Sequence, residues 1–150
     1  MLKNNNIDIF LINRLAELCG LLSLMFAIFL AISLSSYSAI DPTMTNYTTA
    51  LNNNIAGALG ANTADLFLQT FGAVSYLLII PLLSWSYKLI RFKSLPYFSI
   101  NILSAPIFLI FFGSLISIYL DGFSGFISIT FLQFIENLFF FQNSNFNSIL

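Results

Sequence analysis

Histidine is absent from this chain of 150 residues, and cysteine occurs once, at Cys19. An intrachain disulfide, a Cys/His zinc site and a histidine-based nucleophilic triad are thereby excluded. Cys19 lies in an apolar run, so it is expected to be a buried, inert thiol. Charge is also scarce, at 7% of residues. Soluble domains carry about 25%, because charge keeps their surfaces wet. The net charge of −1 leaves no basic surface of the kind that neutralises nucleic-acid phosphates, so direct nucleic-acid contact by this segment is not expected. No Gly-rich turn runs into Lys-Ser or Lys-Thr, so there is no phosphate-cradling loop and no motor. A serine nucleophile would lack a base, and no cofactor or metal site is expected. Asp41, Asp65 and Asp121 fall at the ends of apolar windows, where they are expected to cap helices or sit among headgroups. They are not placed as the mid-membrane carboxylate pair of an aspartyl protease. Only Glu136 approaches the interior of a window, and snorkelling to the interface is its expected role.

What is abundant is apolar surface: 58% of residues are hydrophobic and the mean hydropathy is +0.89. The charged residues divide the chain into apolar windows at 18–40, 66–87, 94–120 and 122–141. About 20 apolar residues suffice to cross a bilayer. The fold class expected is all-α: an integral membrane bundle of four transmembrane helices with a short helical outer loop. The spans are placed at about 18–36, 66–87, 98–120 and 122–141, within one membrane domain, 18–141. Residues 1–17 form a cytoplasmic N-terminal segment, and the Asn/Ser-rich residues 142–150 look like the start of a cytoplasmic linker. The fourth window is the weakest, being interrupted by Gln133, Glu136 and Asn137; it either crosses or lies partly in the interface. Residues 7–18 are either an interfacial helix or an extension of the first span. That span is longer than the apolar region of a signal peptide, about 7–15 residues, although Ala31-Ile32-Ser33 resembles a cleavage site.

All five basic residues agree on one orientation. Lys3 and Arg14 precede the first span, and Lys88, Arg91 and Lys93 separate the second from the third. Residues 37–65 and the turn at Asp121 contain neither Lys nor Arg. Basic residues stay on the cytoplasmic side, so both termini are expected inside and the 37–65 loop outside. Tyr37, Trp85, Tyr87, Tyr97 and Tyr119 lie near span ends, where amphipathic rings favour headgroups.

The outer loop is the most specific stretch. Asp41-Pro42 favours an extended exit from a span followed by a turn. Asn46-Tyr47-Thr48 fits a glycosylation sequon, which matters only in a eukaryotic secretory setting. Further on stand Asn54, Gly57, Gly60, Ala61, Ala64 and Asp65. The pairs Gly57/Ala61 and Gly60/Ala64 have helical spacing, so each would form a small face open to close backbone approach. Such a face serves either ordinary helix packing or a partner.

This stretch, residues 37–81, resembles the N-terminal membrane domain of FtsK-type DNA translocases. Asp41-Pro42-Thr43 is similar to the family's Asp-Pro-Ser, with Thr replacing Ser. Asn54, Gly57, Gly60, Ala61, Ala64 and Asp65 stand at the spacing of its Asn-x-x-Gly-x-x-Gly-Ala-x-x-Ala-Asp pattern. Gly72, Tyr76, Leu77 and Pro81 fit its second span. The family's third and fourth spans are Gly-rich; here Gly113, Gly122 and Gly125 stand out, with Phe, Ile and Ser filling the rest.

The resemblance implies a multi-pass anchor in the bacterial cytoplasmic (inner) membrane, enriched at the division septum, that links cell division to chromosome segregation. Its expected partners are membrane lipid and septal cell-division proteins, with homo-oligomerisation through a motor domain that this chain does not contain. The chain is then a fragment, a split-gene product or a free-standing anchor. The alternative is a small transporter or channel subunit. Ser33, Ser35, Ser36, Ser114 and Ser117 are few and near span ends, which argues against a wet path.

Overall fold

A computed structural model describes residues 5–94, 98–119 and 125–147. Lys3, Tyr97, Asp121 and Gly122 lie outside the described residues, and with them the turn expected at Asp121. Among the described residues five α-helices follow in order: α1 (Asn5–Ser35), α2 (Gly57–Phe71), α3 (Ile79–Phe92), α4 (Phe98–Tyr119) and α5 (Phe126–Asn147). A 3-10 segment, Ala73–Leu78, leads into α3. Two stretches among the described residues are long and apolar enough to cross a membrane, Ile7–Ser35 and Ala73–Phe92. Leu103–Tyr119 and Phe126–Leu138 are shorter apolar helices.

α1 has 31 residues and no proline, so nothing removes a backbone donor along its length. At about 1.5 Å per residue it spans about 46 Å, more than a hydrocarbon core of about 30 Å. Residues 7–18 belong to this same continuous helix. Gly20, Ala27, Leu30, Ser33 and Leu34 form its buried stripe. Cys19 is exposed, contrary to the expectation of a buried thiol. One residue is a rotation of about 100°, which carries it off the face that Gly20 occupies.

The apolar window expected at 66–87 is divided. Residues 66–71 finish α2, and Gly72 then takes φ 70, a conformation that costs glycine little and ends a helix. The hydroxyl of Ser75 lies 2.6 Å from the carbonyl of Phe67 and 2.7 Å from that of Gly72. It thereby supplies a donor to carbonyls left open by the break. The apolar segment starts afresh at Ala73. At the other end of the chain, α5 runs to Asn147, through residues that were expected to begin a linker. Residues 142–147 contain neither Gly nor Pro, so no backbone feature stops the helix there.

The chain divides into two compact units: Met1–Asp65 with Tyr76–Ala105, and Leu66–Ser75 with Pro106–Leu150. In the first, α1 and α3 lie antiparallel. Glu17 meets Lys93 at one end, Gly20 faces Leu89 and Ile90, Ser23 Oγ donates to the Leu82 carbonyl, and Tyr76 Oη reaches the Leu34 carbonyl. From Glu17 to Leu34 the helical rise is about 26 Å, close to a bilayer's apolar thickness. A Cβ on Gly20 would lie 2.8 Å from Ile90 Cγ1 and 3.1 Å from the Ile90 nitrogen. The missing side chain is therefore what allows the two helices their close approach.

In the second unit small residues again set the contacts. A Cβ on Gly125 would strike the backbone of Thr70, Phe71 and Gly72, and one on Gly113 would strike Ser128. Ser114 Oγ lies 2.7 Å from the Ile110 carbonyl and 3.2 Å from the Ser128 carbonyl, tying α4 to α5. Phe111 and Phe131 meet edge to face, with centroids 5.2 Å apart.

Candidate functional site

The end of α1 poses a local problem: the last carbonyls of a helix have no partner within it. Here they are met by residues remote in sequence. Asn54 Nδ2 lies 2.9 Å from the Ser33 carbonyl and 3.3 Å from that of Ser36. Tyr76 Oη donates to the Leu34 carbonyl at 2.8 Å. Ser36 Oγ donates to the Ile32 carbonyl at 2.6 Å and accepts from the Ile55 nitrogen at 3.1 Å. Asn54 then turns the chain. Its Oδ1 accepts from the Ala56 nitrogen, and its own carbonyl accepts from Gly57, where φ of 68 opens α2.

α2 presses its small face against this junction. Gly60, Ala61, Ala64 and Asp65 are buried. A Cβ on Gly60 would collide with Asn54 Oδ1 and Ala56 Cβ, and would stand 3.1 Å from Ser33 Oγ. Gly57 does not join that face: a Cβ there would meet nothing within 4 Å. The expected Gly57/Ala61 packing pair is therefore corrected, because Gly57 is required for its backbone angle.

The two carboxylates of this cap are buried, Asp41 at 1% exposure and Asp65 at 5%. Neither caps a helix end or reaches out to headgroups, as the sequence had suggested. Asp65 accepts hydrogen bonds from Tyr37 Oη at 3.4 Å, from Thr43 Oγ1 at 2.9 Å and from Thr45 Oγ1. Asp41 Oδ1 accepts from the Asn53 nitrogen at 2.9 Å. With no Lys or Arg in residues 37–65, hydroxyl donors stand in for cations at Asp65, whereas Asp41 has one amide donor at Oδ1 and its buried Oδ2 has no hydrogen-bond partner among the described residues. The hydroxyl on Thr43 also accounts for Thr standing where the resembled motif has Ser: the oxygen is what reaches Asp65. Half-buried Pro42 sits between Asp41 and Thr43; it lacks an N–H and fixes φ at the corner.

Tyr37 titrates above its ordinary value of 10.0, chiefly because it is desolvated, then because of the Asp65 charge and hydrogen bond and the charge of Asp41. Folding thus favours the protonated phenol. Its contribution to stability is complete below about pH 10 and is lost as pH rises through the raised pKa. Tyr37→Phe should flatten that alkaline decline when thermal unfolding in detergent is followed from neutral to alkaline pH. An unchanged slope would refute the role.

The basic residues gather at the opposite end of α1. Arg14 Nη1 lies 2.6 Å from Glu17 Oε2 and Lys93 Nζ lies 3.0 Å from Glu17 Oε1. Lys93 takes φ 53 and caps α3 through its nitrogen to the Leu89 carbonyl. Lys88 and Arg91 lie in the last turns of α3. Thus Asp41, Pro42, Asn54, Gly60, Ala61, Ala64 and Asp65 come together in one cap, and Arg14 and Lys93 in one cluster at the other end. Sequence reasoning missed the donors to Asp65 and the use of Tyr76. The available signal was a pair of carboxylates in a loop without cations, flanked by Tyr37, Thr43 and Thr45.

Among the described residues no three His, Cys, Asp or Glu side chains gather as metal ligands. Comparison with known proteins agrees with a membrane role. The model of the family described as the 4TM region of DNA translocase FtsK/SpoIIIE matches residues 13–136. A curated relative, DNA translocase FtsK of Rhizobium meliloti (strain 1021), is 36% identical over 83 residues, which are 55% of this chain and 9% of the relative. The match thus spans less than a tenth of that relative's length. No solved structure matches. The motif residues of the cap lie inside the matched segment, on an all-helical chain with small-residue helix contacts, and the chain therefore belongs to the FtsK/SpoIIIE 4TM family of multi-pass membrane domains.

Proposed function

We propose that this chain is the membrane anchor and septum-associated module of an FtsK-type DNA translocase, linking cell division to chromosome segregation. The observation that carries the reading is the cap on α1. Most of its family-motif residues build one hydrogen-bonded surface, with Asp41, Asn54 and Asp65 all buried. That surface presents Met44, Tyr47, Leu51, Ile55 and Leu59, each more than three-quarters exposed, and so suits contact with septal division proteins. DNA pumping belongs to a motor domain joined to such an anchor, which would also drive homo-oligomerisation. The cap faces outward, and the Arg14–Glu17–Lys93 cluster and both termini face the cytoplasm, in keeping with retention of basic residues inside.

A fluorescent fusion should concentrate at midcell in dividing bacteria; an even envelope signal throughout division would overturn the septal role. In a Cys19→Ser background, Thr48→Cys should react with an impermeant reagent from outside while Ser94→Cys stays protected. The reverse pattern would invert the orientation and leave the septal test untouched.

A further inference from the structure

At the basic end of the antiparallel pair, a groove of about 620 Å³ opens beside α3. It is lined by Leu24 of α1 and by Leu83, Ser86, Tyr87 and Ile90 of α3, together with Arg91 and Lys93. The volume falls in the range of small-molecule sites, about 300–1,000 Å³. A mostly apolar lining with two cationic residues is the complement of one membrane component. We propose that this groove binds an anionic glycerophospholipid, an acyl chain lying along Leu24, Leu83 and Ile90 and the phosphate meeting Arg91 and Lys93.

Three observations converge on that occupant. First, the apolar walls are left uncovered by the chain itself: Leu83 and Ile90 are each 42% exposed and Tyr87 is 63% exposed. Second, the charge at this end is unbalanced. Glu17 engages both Arg14 and Lys93, and Arg91 has no ion pair among the described residues. A guanidinium without a carboxylate is suited to bidentate contact with a phosphate. Third, Lys93, a lining residue, is held in place by its left-handed cap on α3 and by Glu17, so it is ordered before any lipid arrives. A zwitterionic lipid would bring its own cation against Arg91 and Lys93, and a soluble partner would have to enter from within the headgroup region. Basic pockets beside membrane helices commonly take anionic headgroups.

The test uses the full chain, purified in a nonionic detergent and examined by native mass spectrometry with equal amounts of phosphatidylglycerol and phosphatidylcholine of matched acyl chains. Phosphatidylglycerol occupancy should exceed phosphatidylcholine occupancy about tenfold, the equivalent of one good charged contact. Glycerol phosphate, which lacks acyl chains, should not bind measurably. Arg91→Gln should abolish the preference, whereas Lys88→Gln, the same charge change outside the groove lining, should keep it. Leu24→Trp should lower occupancy by either lipid. Equal binding of the two lipids, or equal loss in Arg91→Gln and Lys88→Gln, would overturn the proposal, the latter because it would reduce the effect to bulk charge. Should Leu24→Trp not fold, a photoreactive acyl chain decides the point on the wild-type chain. Crosslinks at Leu24 or residues 83–90 support the groove, and crosslinks confined elsewhere refute it.

Discussion

Asn54→Leu should lower the stability of the domain by about 3 kcal/mol or more, because it leaves several polar backbone groups without partners at a cost of about 1–3 kcal/mol each. The change keeps the approximate shape of the side chain. It strands the Ser33 and Ser36 carbonyls and the Ala56 nitrogen, all served by the one amide, which is only 5% exposed. Asn54→Asp is the sharper test. It retains the Oδ1 acceptor but replaces the donating nitrogen by an oxygen facing two carbonyls, at the negative end of the α1 dipole. It should therefore be at least as damaging as Leu although chemically closer. Asn53→Asp, at an exposed neighbouring side chain, should change stability by about 0.5 kcal/mol or less. Melting followed by circular dichroism in one detergent ranks the three. A wild-type midpoint for Asn54→Asp would mean that the α1 carbonyls are satisfied some other way.

The second large effect is expected at Gly125. A single methyl there would run into backbone atoms of Thr70, Phe71 and Gly72, which cannot rotate aside as a side-chain tip can. Gly125→Ala should cost about 3 kcal/mol, at the upper end of the usual penalty for overpacking. Gly57→Ala makes a calibrating comparison: open space surrounds it, but φ is 68, so the cost should be the left-handed penalty alone, about 1–2 kcal/mol. Gly113→Ala should fall below Gly125→Ala, because its obstacle is the side chain of Ser128, whose hydroxyl makes no hydrogen bond among the described residues. Equal melting temperatures for Gly125→Ala and wild type would show that the end of α2 and the residue before α5 do not approach as described.

Much of this was legible in the residues, and the parts that were not share a cause. The small face of α2 was readable from Gly60, Ala61 and Ala64 because spacing on a helix is a local property. Gly57 was misjudged because its role depends on a backbone angle, which spacing does not reveal. Asp41 and Asp65 were expected to cap helices or sit among headgroups because a lone carboxylate in an apolar context ordinarily seeks water or a helix end. Tyr37, Thr43 and Thr45 make burial of Asp65 tolerable instead, while Asp41 is served by the Asn53 nitrogen at one oxygen only. The window at 66–87 looked continuous because hydropathy records composition and not the positive φ of Gly72.

The sequence by itself determined the membrane class, the helical content and the gathering of basic residues at one end. These follow from sums of transfer free energy and charge along the chain, which need no partner to be evaluated. The tertiary structure decided which donor serves which carbonyl at the end of α1, how two carboxylates are buried without a cation, and where Gly20 and Gly125 let backbones close. Each of those depends on atoms far apart in sequence meeting within hydrogen-bond or contact distance, and that meeting exists only once the chain has folded.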